Sequence, residues 1–529
     1  MSTFRRPFIV MTKPALCLAL FLSAAGVRAA DAPTSEWVRV GTDGKLVYKA
    51  DAHGNRIPDF SNVGYRGGGE SIPEVPVRAA VEPGVGDATA RIQAAIDAVS
   101  RLPADAAGRR GAVLLKKGRY PIAGTLRLHT GGVVLRGEGQ GDDGTTIVAA
   151  GATQRSLIVA GGTAGRAPRN EDDDTSEPST AGAGGQHWAV ADDYVPVGAR
   201  RLHVDRADGL RVGSEIVIRR PSTAEWIHDL GMDQIPPKST PVTQWKPGSK
   251  DLIFHRTITA VAGDEISIDA PIVNALEKKY GGAEISLAGP GRAVREVGVE
   301  NLRGDSDFTS ETDEKHGWVL VEFAAVRDGW VRDVTAIHFG YSCVNVLRAS
   351  RAITIDRCTC LDPVSQITGG RRYSFALDGE LTLVQHCRAR NGRHDFVMHS
   401  TAAGPNVFFD CVAEDVHADS GPHHRWSVGV LYDNVTVKPP RDAKNPKGIG
   451  LNIRNRGNSG TGHGWAGANQ VAWNCDAYEM KIEQPPTAQN WAIGCRAVVH
   501  EGDGYWESFG KPVGLKSLYA AQLRERLGH

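Results

Sequence analysis

Histidine, arginine and tyrosine recur at matching places along this 529-residue chain. The groups are Lys315 and His316 before "GWVLVEF", Tyr341 opening "YSCVNVL", Arg371, Arg372 and Tyr373 opening "RRYSFAL", and Arg393, His394 and Asp395 opening "RHDFVMHS". His423, His424 and Arg425 open "HHRWSVGVL", Arg454 and Arg456 close "IGLNIRNR", and His463 and Trp465 stand in "GHGWAGAN". Each of the runs they open alternates apolar and small residues. Arginine binds a carboxylate bidentately, imidazole exchanges protons near neutral pH, and phenol is a weak acid. This inventory suits β-elimination next to a carboxylate, in which the carboxylate is neutralised, a carbon-bound proton removed and the leaving oxygen protonated. On this reading His394 or His424 is the base, Tyr373 the acid or its partner, and Arg372, Arg393 and Arg425 the carboxylate grip. Asp395 would orient a histidine. Lys315, His316, Tyr341, Arg371, His423, Arg454, Arg456, His463 and Trp465 would line the substrate path.

Glycoside hydrolysis needs two carboxylates about 5 to 9.5 Å apart. The candidates Asp378, Asp395 and Asp419 are outnumbered by bases. A metal centre is not expected: His423 and His424 are adjacent and would point to opposite faces of a strand, and no HExxH or Cys/His ligand spacing occurs. No cofactor is expected either. Calcium is conceivable at the acidic run 171–174, where a solvated charge run is the simpler account.

What could bring these clusters together is a repeat. Aligning "VGVENLR", "WVRDVTA", "ITIDRCTC", "LTLVQHCRA", "VFFDCVAE", "VLYDNVTV", "VAWNCDA" and "WAIGCRA" puts Asn301, Val334, Cys358, Cys387, Cys411, Asn434, Cys475 and Cys495 in one column, spaced by 20 to 41 residues. Short period-2 strands repeating at this interval predict an all-β, right-handed parallel β-helix with the column facing inward. Coils stack about 4.8 Å apart, so the cationic and aromatic residues become a stripe along one face. The column cysteines are then buried free thiols. Upstream, Asp87 can cap an amphipathic helix carrying Ile92, Ile96 and Val99 that closes the open end of the solenoid. The stretch "DATARIQAAID", the strand "GRYPI" and the turn "LRGEG" resemble the pectate-lyase-like β-helix superfamily, by motif over residues 80–150 and by repeat over 290–500. That resemblance implies the fold and makes lyase action on polysaccharides plausible; the superfamily also holds hydrolases, epimerases and tailspikes.

The expected layout is an export signal at 1–30, an N-terminal extension at 31–79, cap and first coils at 80–150, and an inserted β subdomain at 151–290. The main coils follow at 291–500, then a C-terminal loop and capping helix at 501–529, with the helix over 515–527 docked on the last coil. The first thirty residues combine a basic start, the Arg5-Arg6 pair and an apolar run at 15–27. They read as a signal for secretion or periplasmic export, by the general or the twin-arginine route. No later run is long and apolar enough for a membrane span. With 61 basic and 61 acidic residues, no global field draws the chain to nucleic acid or membrane surfaces. The expected partner is an anionic, uronic-acid polysaccharide or oligosaccharide met by a monomer. A glycoside hydrolase or transglycosidase and a non-catalytic polysaccharide binder are the alternatives.

Overall fold

Eight successive coils change direction at a residue with left-handed backbone: Asn301, Asp333, Arg357, His386, Asp410, Asn434, Asn474 and Gly494, with φ between 50° and 68°. Asparagine, aspartate and glycine tolerate this region best. The two long side chains are held by carboxylates, Arg357 by Asp333 and His386 by Asp356. The residue after each corner points inward: Leu302, Val334, Cys358, Cys387, Cys411, Val435, Cys475 and Cys495, all in the main core. Asn301 and Asn434 therefore belong to the corner column and not to the inward column where the sequence alignment put them. The repeat was off by one residue at those two coils, because a small polar residue fits either column by type.

The computed structural model describes residues 32–162, 186–289 and 293–528. The proposed export signal and the acidic run 171–174 lie outside the described residues. The chain is a right-handed parallel β-helix, as expected. In its larger sheet Gly298–Ser306 pairs in parallel with Val326–Ile337, followed by Arg351–Asp356, Leu383–Gln385, Asn406–Phe409, Val430–Asp433, Val471–Trp473, Trp491–Ile493 and Tyr505–Glu507. A second, seven-stranded sheet stacks Leu126–Leu128, Arg155–Gly161, Gly317–Ala324, Ser342–Val346, Phe375–Leu377, Phe396–Met398 and Gly421–Pro422. Lys315 and His316, Tyr341, Arg371 to Tyr373 and Arg393 to Asp395 precede strands of this second sheet, whereas His423 to Arg425 follow its last strand. All seven described cysteines are buried and free.

Helix α1 (Thr89–Ser100) buries Ile92, Ile96 and Val99. The Asp87 carboxylate accepts from the Thr89 and Ala123 backbone N–H groups, tying the start of the helix to the first coils. The first solenoid strand, Val77–Val81, begins within the stretch read as N-terminal extension. Arg155–Gly161, placed in the insertion by sequence, pairs instead with Gly317–Ala324 in the solenoid. The described insertion, 186–289, holds a six-stranded antiparallel sheet, a two-stranded one that pairs Tyr194–Val195 with Leu276–Glu277, a short α-helix, α2 (Ala224–Asp229), and a 3-10 turn at Lys278–Tyr280. Helix α3 (Leu518–Leu527) does not sit on the last coil alone. Leu518 and Tyr519 pack on the flank of several coils, in one cluster with Leu383, Val407, Leu431, Val471 and Trp491. The buried Asp433 carboxylate fixes it there by accepting from Ser517 Oγ and Tyr519 N.

The insertion docks on a charged ladder. Arg295, Arg327 and Arg351 occupy one register position in successive coils, and Glu380 bridges to Arg351 in the next. Glu215 of the insertion binds all three arginines. Burial alone would raise its pKa, yet those guanidiniums bring it down to about 2. In return, His255 and Arg256 of the insertion bind Glu380, with Arg256 Nη1 at 3.1 Å. Glu380→Ala would strand a buried guanidinium. A loss of about 3 to 5 kcal/mol in urea-unfolding stability is expected, and a loss under about 1 kcal/mol would mean that the ladder does not hold the insertion.

Candidate active site

At the C-terminal end of the second sheet the chain leaves regular strand geometry. Arg372 (φ 59°), Thr401 (φ 51°), Arg425 (φ 55°) and Trp426 (φ 65°) are left-handed, so the flanking side chains do not simply alternate. His423 and His424 are a consequence: their ring centroids lie 5.2 Å apart, and both rings meet His463, at 4.9 and 5.2 Å. They share one side, contrary to the strand-based expectation. Stacked coils complete the cluster. Tyr373 lies 5.0 Å from His394 and 5.3 Å from His423, and His394 lies 4.4 Å from His423. Tyr341 is one coil further, 5.2 Å from Tyr373.

The stripe is not an open surface. Tyr373, His394, His423, His424, Arg425 and His463 are only 0% to 4% exposed. The covering elements are a hairpin and the insertion. Residues 454–466 form the hairpin, with Asn455 bridging Trp465 in antiparallel fashion and Arg456 N donating to Gly464 O. Outside it, Met232 and Trp245 of the insertion pack on Gly464, and Thr243 N donates to Thr461 O at 2.8 Å. Trp226 and Trp426 meet edge-to-face beside this seam.

One carboxylate organises the interior. Asp419 Oδ2 accepts from Arg456 Nη1 at 2.9 Å, and Arg454 approaches it at 3.9 Å. Burial would raise the Asp419 pKa, but Arg456, His394 and Arg454 hold it far below the usual carboxylate range. His394 Nδ1 lies 2.5 Å from the Asp419 carbonyl oxygen and 3.2 Å from its Oδ1. A carbonyl only accepts, so Nδ1 carries the proton and Nε2 keeps its lone pair. That Nε2 is buried and has no hydrogen-bond partner in the protein. Burial lowers the His394 pKa to about 4 against the opposing pull of Asp419, so the ring is neutral at neutral pH. His423 and His424 are likewise pushed well down by burial, and then by Arg456 and by His463 respectively, while burial and Arg456 take His463 to about 2. Tyr373 Oη and His423 Nε2 share a 3.1 Å hydrogen bond.

Several expected site residues stand apart. Lys315 is exposed, and His316 is buried between Ser306 Oγ and the Val364 carbonyl. Arg371 pairs with Glu314, Arg372 donates to the Ser365 carbonyl and Arg393 to the Gly369 carbonyl. These contacts brace the 365–371 loop, and the charge of Arg393 also reaches His394, where it helps to lower the pKa. Asp395 orients no histidine: its Oδ1 accepts from Ser374 Oγ, and burial raises its pKa to about 7. Trp465 packs in the cluster of the insertion. Asp419 was legible only as a hydrolytic carboxylate, and His399 was passed over, although its Nε2 lies 3.1 Å from Tyr341 Oη. Counting back from the register that pairs Val397 with Gly421 would have set Asp419 opposite Asp395. Among the described residues no group of three or more His, Cys, Asp or Glu is arranged to hold a metal ion.

No family model and no curated protein matches the chain. Among solved structures it is similar to the tailspike of Pseudomonas phage LKA1, with 14% identity, 80% of this chain and 72% of that one covered, and a TM-score of 0.36. It is also similar to a polygalacturonase from Erwinia carotovora ssp. carotovora, with 9% identity, coverage of 84% and 98%, and a TM-score of 0.34. A third is a mannuronan C-5 epimerase A-module from Azotobacter vinelandii, with 12% identity, coverage of 80% and 86%, and a TM-score of 0.23. At such values these likenesses say nothing of chemistry, which rests on the side chains.

Two cavities open elsewhere. One of about 290 Å³ lies among Asp51, His53, Tyr194, Glu277 and Tyr280, and one of about 280 Å³ lies beside Arg66, His255, Arg327 and Arg351. In the second, Glu215 and Glu296 already bind the arginines.

Asp395 makes a pH prediction. Folded, it holds its proton to about pH 7; unfolded, it releases it near pH 4. The native state therefore binds the extra proton between those values, and stability falls as pH rises from about 4 to about 7, by on the order of 4 kcal/mol. In Asp395→Asn, urea unfolding across this window should lose that part of the slope. An unchanged slope would place the proton elsewhere.

Proposed function

We propose that the protein is an enzyme that cleaves an acidic polysaccharide by β-elimination at a uronate residue. The observation that carries this reading is His394, a buried neutral imidazole whose Nδ1 proton is fixed by the Asp419 carbonyl and whose Nε2 lone pair has no protein partner. Arg425 supplies the carboxylate neutralisation from the next coil. Its Nη2 donates to Thr461 Oγ1, and its main chain is held by the His463 carbonyl. In the proposed step His394 Nε2 takes the C5 proton of the uronate and the electron pair forms the C4–C5 double bond. The C4–oxygen bond breaks, and Tyr373 Oη gives its proton to the departing oxygen. The cycle closes when the proton held by the His394 imidazolium returns to the phenolate, with His423, 4.4 Å from His394 and hydrogen-bonded to Tyr373, as the relay that takes up one proton as it gives up another.

Hydrolysis is less well served by this geometry. Asp419 is committed to Arg456 and His394, which leaves Asp395, with Oδ1 on Ser374 Oγ and Oδ2 buried without a protein partner, as a lone carboxylate where inverting or retaining hydrolysis uses a pair. The start of the chain supports export, which would bring such an enzyme to extracellular polymers.

Incubation with polygalacturonate, alginate and other polyuronates should release products that carry the ultraviolet absorbance of an unsaturated uronate. His394→Ala should lower kcat by roughly 10² to 10⁴, and Tyr373→Phe should do the same, while His316→Ala leaves kcat unchanged. Reducing ends without that absorbance would mean hydrolysis. Full activity in His394→Ala would remove it from the role of base.

A further inference from the structure

The cavity of about 290 Å³ differs from the histidine cluster in that its wall meets solvent: Tyr194, Glu277, Gln484 and Gln489 are all partly exposed. Three stretches build it. Asp51 to Asn55 precede the first coil, Tyr194, Glu277 and Tyr280 belong to the insertion, and Asn469, Gln484, Thr487 and Gln489 come from the last coils. Gln484 Nε2 donates to the Ala488 carbonyl and Gln489 Nε2 to the Asn490 carbonyl. A carbonyl only accepts, so both amides are fixed with the nitrogen toward the chain and the oxygen left as an acceptor. Thr487 Oγ1 accepts from Trp226 Nε1, which leaves its own proton to donate. The charges of the wall are answered within the protein. Asp51 accepts from His53 N, Asn55 N and Asn55 Nδ2. Glu277 pairs with Lys279 at 3.4 Å, and Lys279 Nζ stands 4.4 Å from the centre of the Tyr280 ring.

We infer that this cavity is a second carbohydrate site, separate from the histidine cluster, that holds one neutral sugar residue. Its volume lies near the lower end of ligand pockets, roughly 300 Å³. The rings of His53 and Tyr194, with centroids 5.6 Å apart, offer apolar faces to the C–H side of a pyranose. The sugar hydroxyls donate to Gln484 Oε1 and Gln489 Oε1 and accept from Thr487 Oγ1. A uronate is disfavoured, because Lys279 is already engaged and its carboxylate would face those of Asp51 and Glu277. The inference stands whether or not the histidine cluster performs β-elimination. A ligand here touches all three stretches at once, so it stabilises the folded chain.

Saturation-transfer NMR on the full-length protein tests this with galactose, glucose, mannose and N-acetylglucosamine, and with galacturonate and glucuronate as the anionic counterparts. At least one neutral sugar should bind and should raise the unfolding temperature as its concentration rises. Gln489→Leu should weaken that binding by about two- to ten-fold, and Tyr194→Ala by roughly ten-fold, while Tyr194→Phe, which keeps the ring, should stay close to the unmodified protein. His394→Ala should leave it unchanged. Absence of binding by all four neutral sugars overturns the inference. So does binding that Gln489→Leu and Tyr194→Ala leave intact, or that His394→Ala abolishes, since the sugar then sits elsewhere. A uronate that binds as tightly as the neutral sugar and is weakened equally by Gln489→Leu overturns the choice of a neutral ligand.

Discussion

Each coil of a stacked solenoid must turn where the coil beneath it turned, because ladder hydrogen bonds tie neighbouring coils residue to residue. Here that demand is met by the left-handed corner that runs from Asn301 through Asp410 to Gly494. For most side chains such a backbone costs about 1 to 2 kcal/mol, and Asn, Asp and Gly reduce that cost. With the corner fixed, the residue after it must face inward, and the thiols of Cys358, Cys387 and Cys411 stack in the core. The same register carries through to the second sheet. Phe375 lies beside Phe396, so Tyr373 is set next to His394, and the two rings meet at 5.0 Å.

The site is costly to build. Four imidazoles and two guanidiniums are gathered where little water reaches, and like charges repel strongly in such surroundings. The structure answers in two ways. The imidazoles stay neutral, with His394 lowered to about 4 and His463 to about 2 by burial first of all. The guanidinium of Arg456 is paired with Asp419, whose carboxyl is held ionised. A neutral imidazole with one nitrogen fixed and the other open is what a general base requires. The burial that threatens stability thus also prepares the chemistry, and the docked insertion maintains that burial through Glu215 and Glu380.

The solenoid was legible because its signal is repetition: many short alternating strands with cysteine at a fixed place. Corner and inward columns were confused at Asn301 and Asn434, since residue type does not separate a left-handed turn from a small inward side chain. The site was legible as a neighbourhood: Tyr373, His394, His423, His424, Arg425, Arg456 and His463 do converge. Their burial was not, because it depends on contacts made by the insertion from some two hundred residues earlier in the chain. Nor could composition separate an arginine that faces the site from one that braces a loop. Arg371, Arg372 and Arg393 looked like a grip and are spent on Glu314 and on backbone carbonyls. Asp395 and Asp419 exchanged roles for a similar reason: which carboxylate meets a histidine depends on where the coil bends.

The central claim is the protonation state of His394, and nitrogen NMR of histidine-labelled protein reads it directly, with the His394 resonances assigned by their loss in His394→Gln. The account predicts a neutral ring at neutral pH with the proton on Nδ1 and none on Nε2, taking up a second proton only as pH falls toward about 4. A ring protonated on Nε2, or an imidazolium at neutral pH, would contradict it.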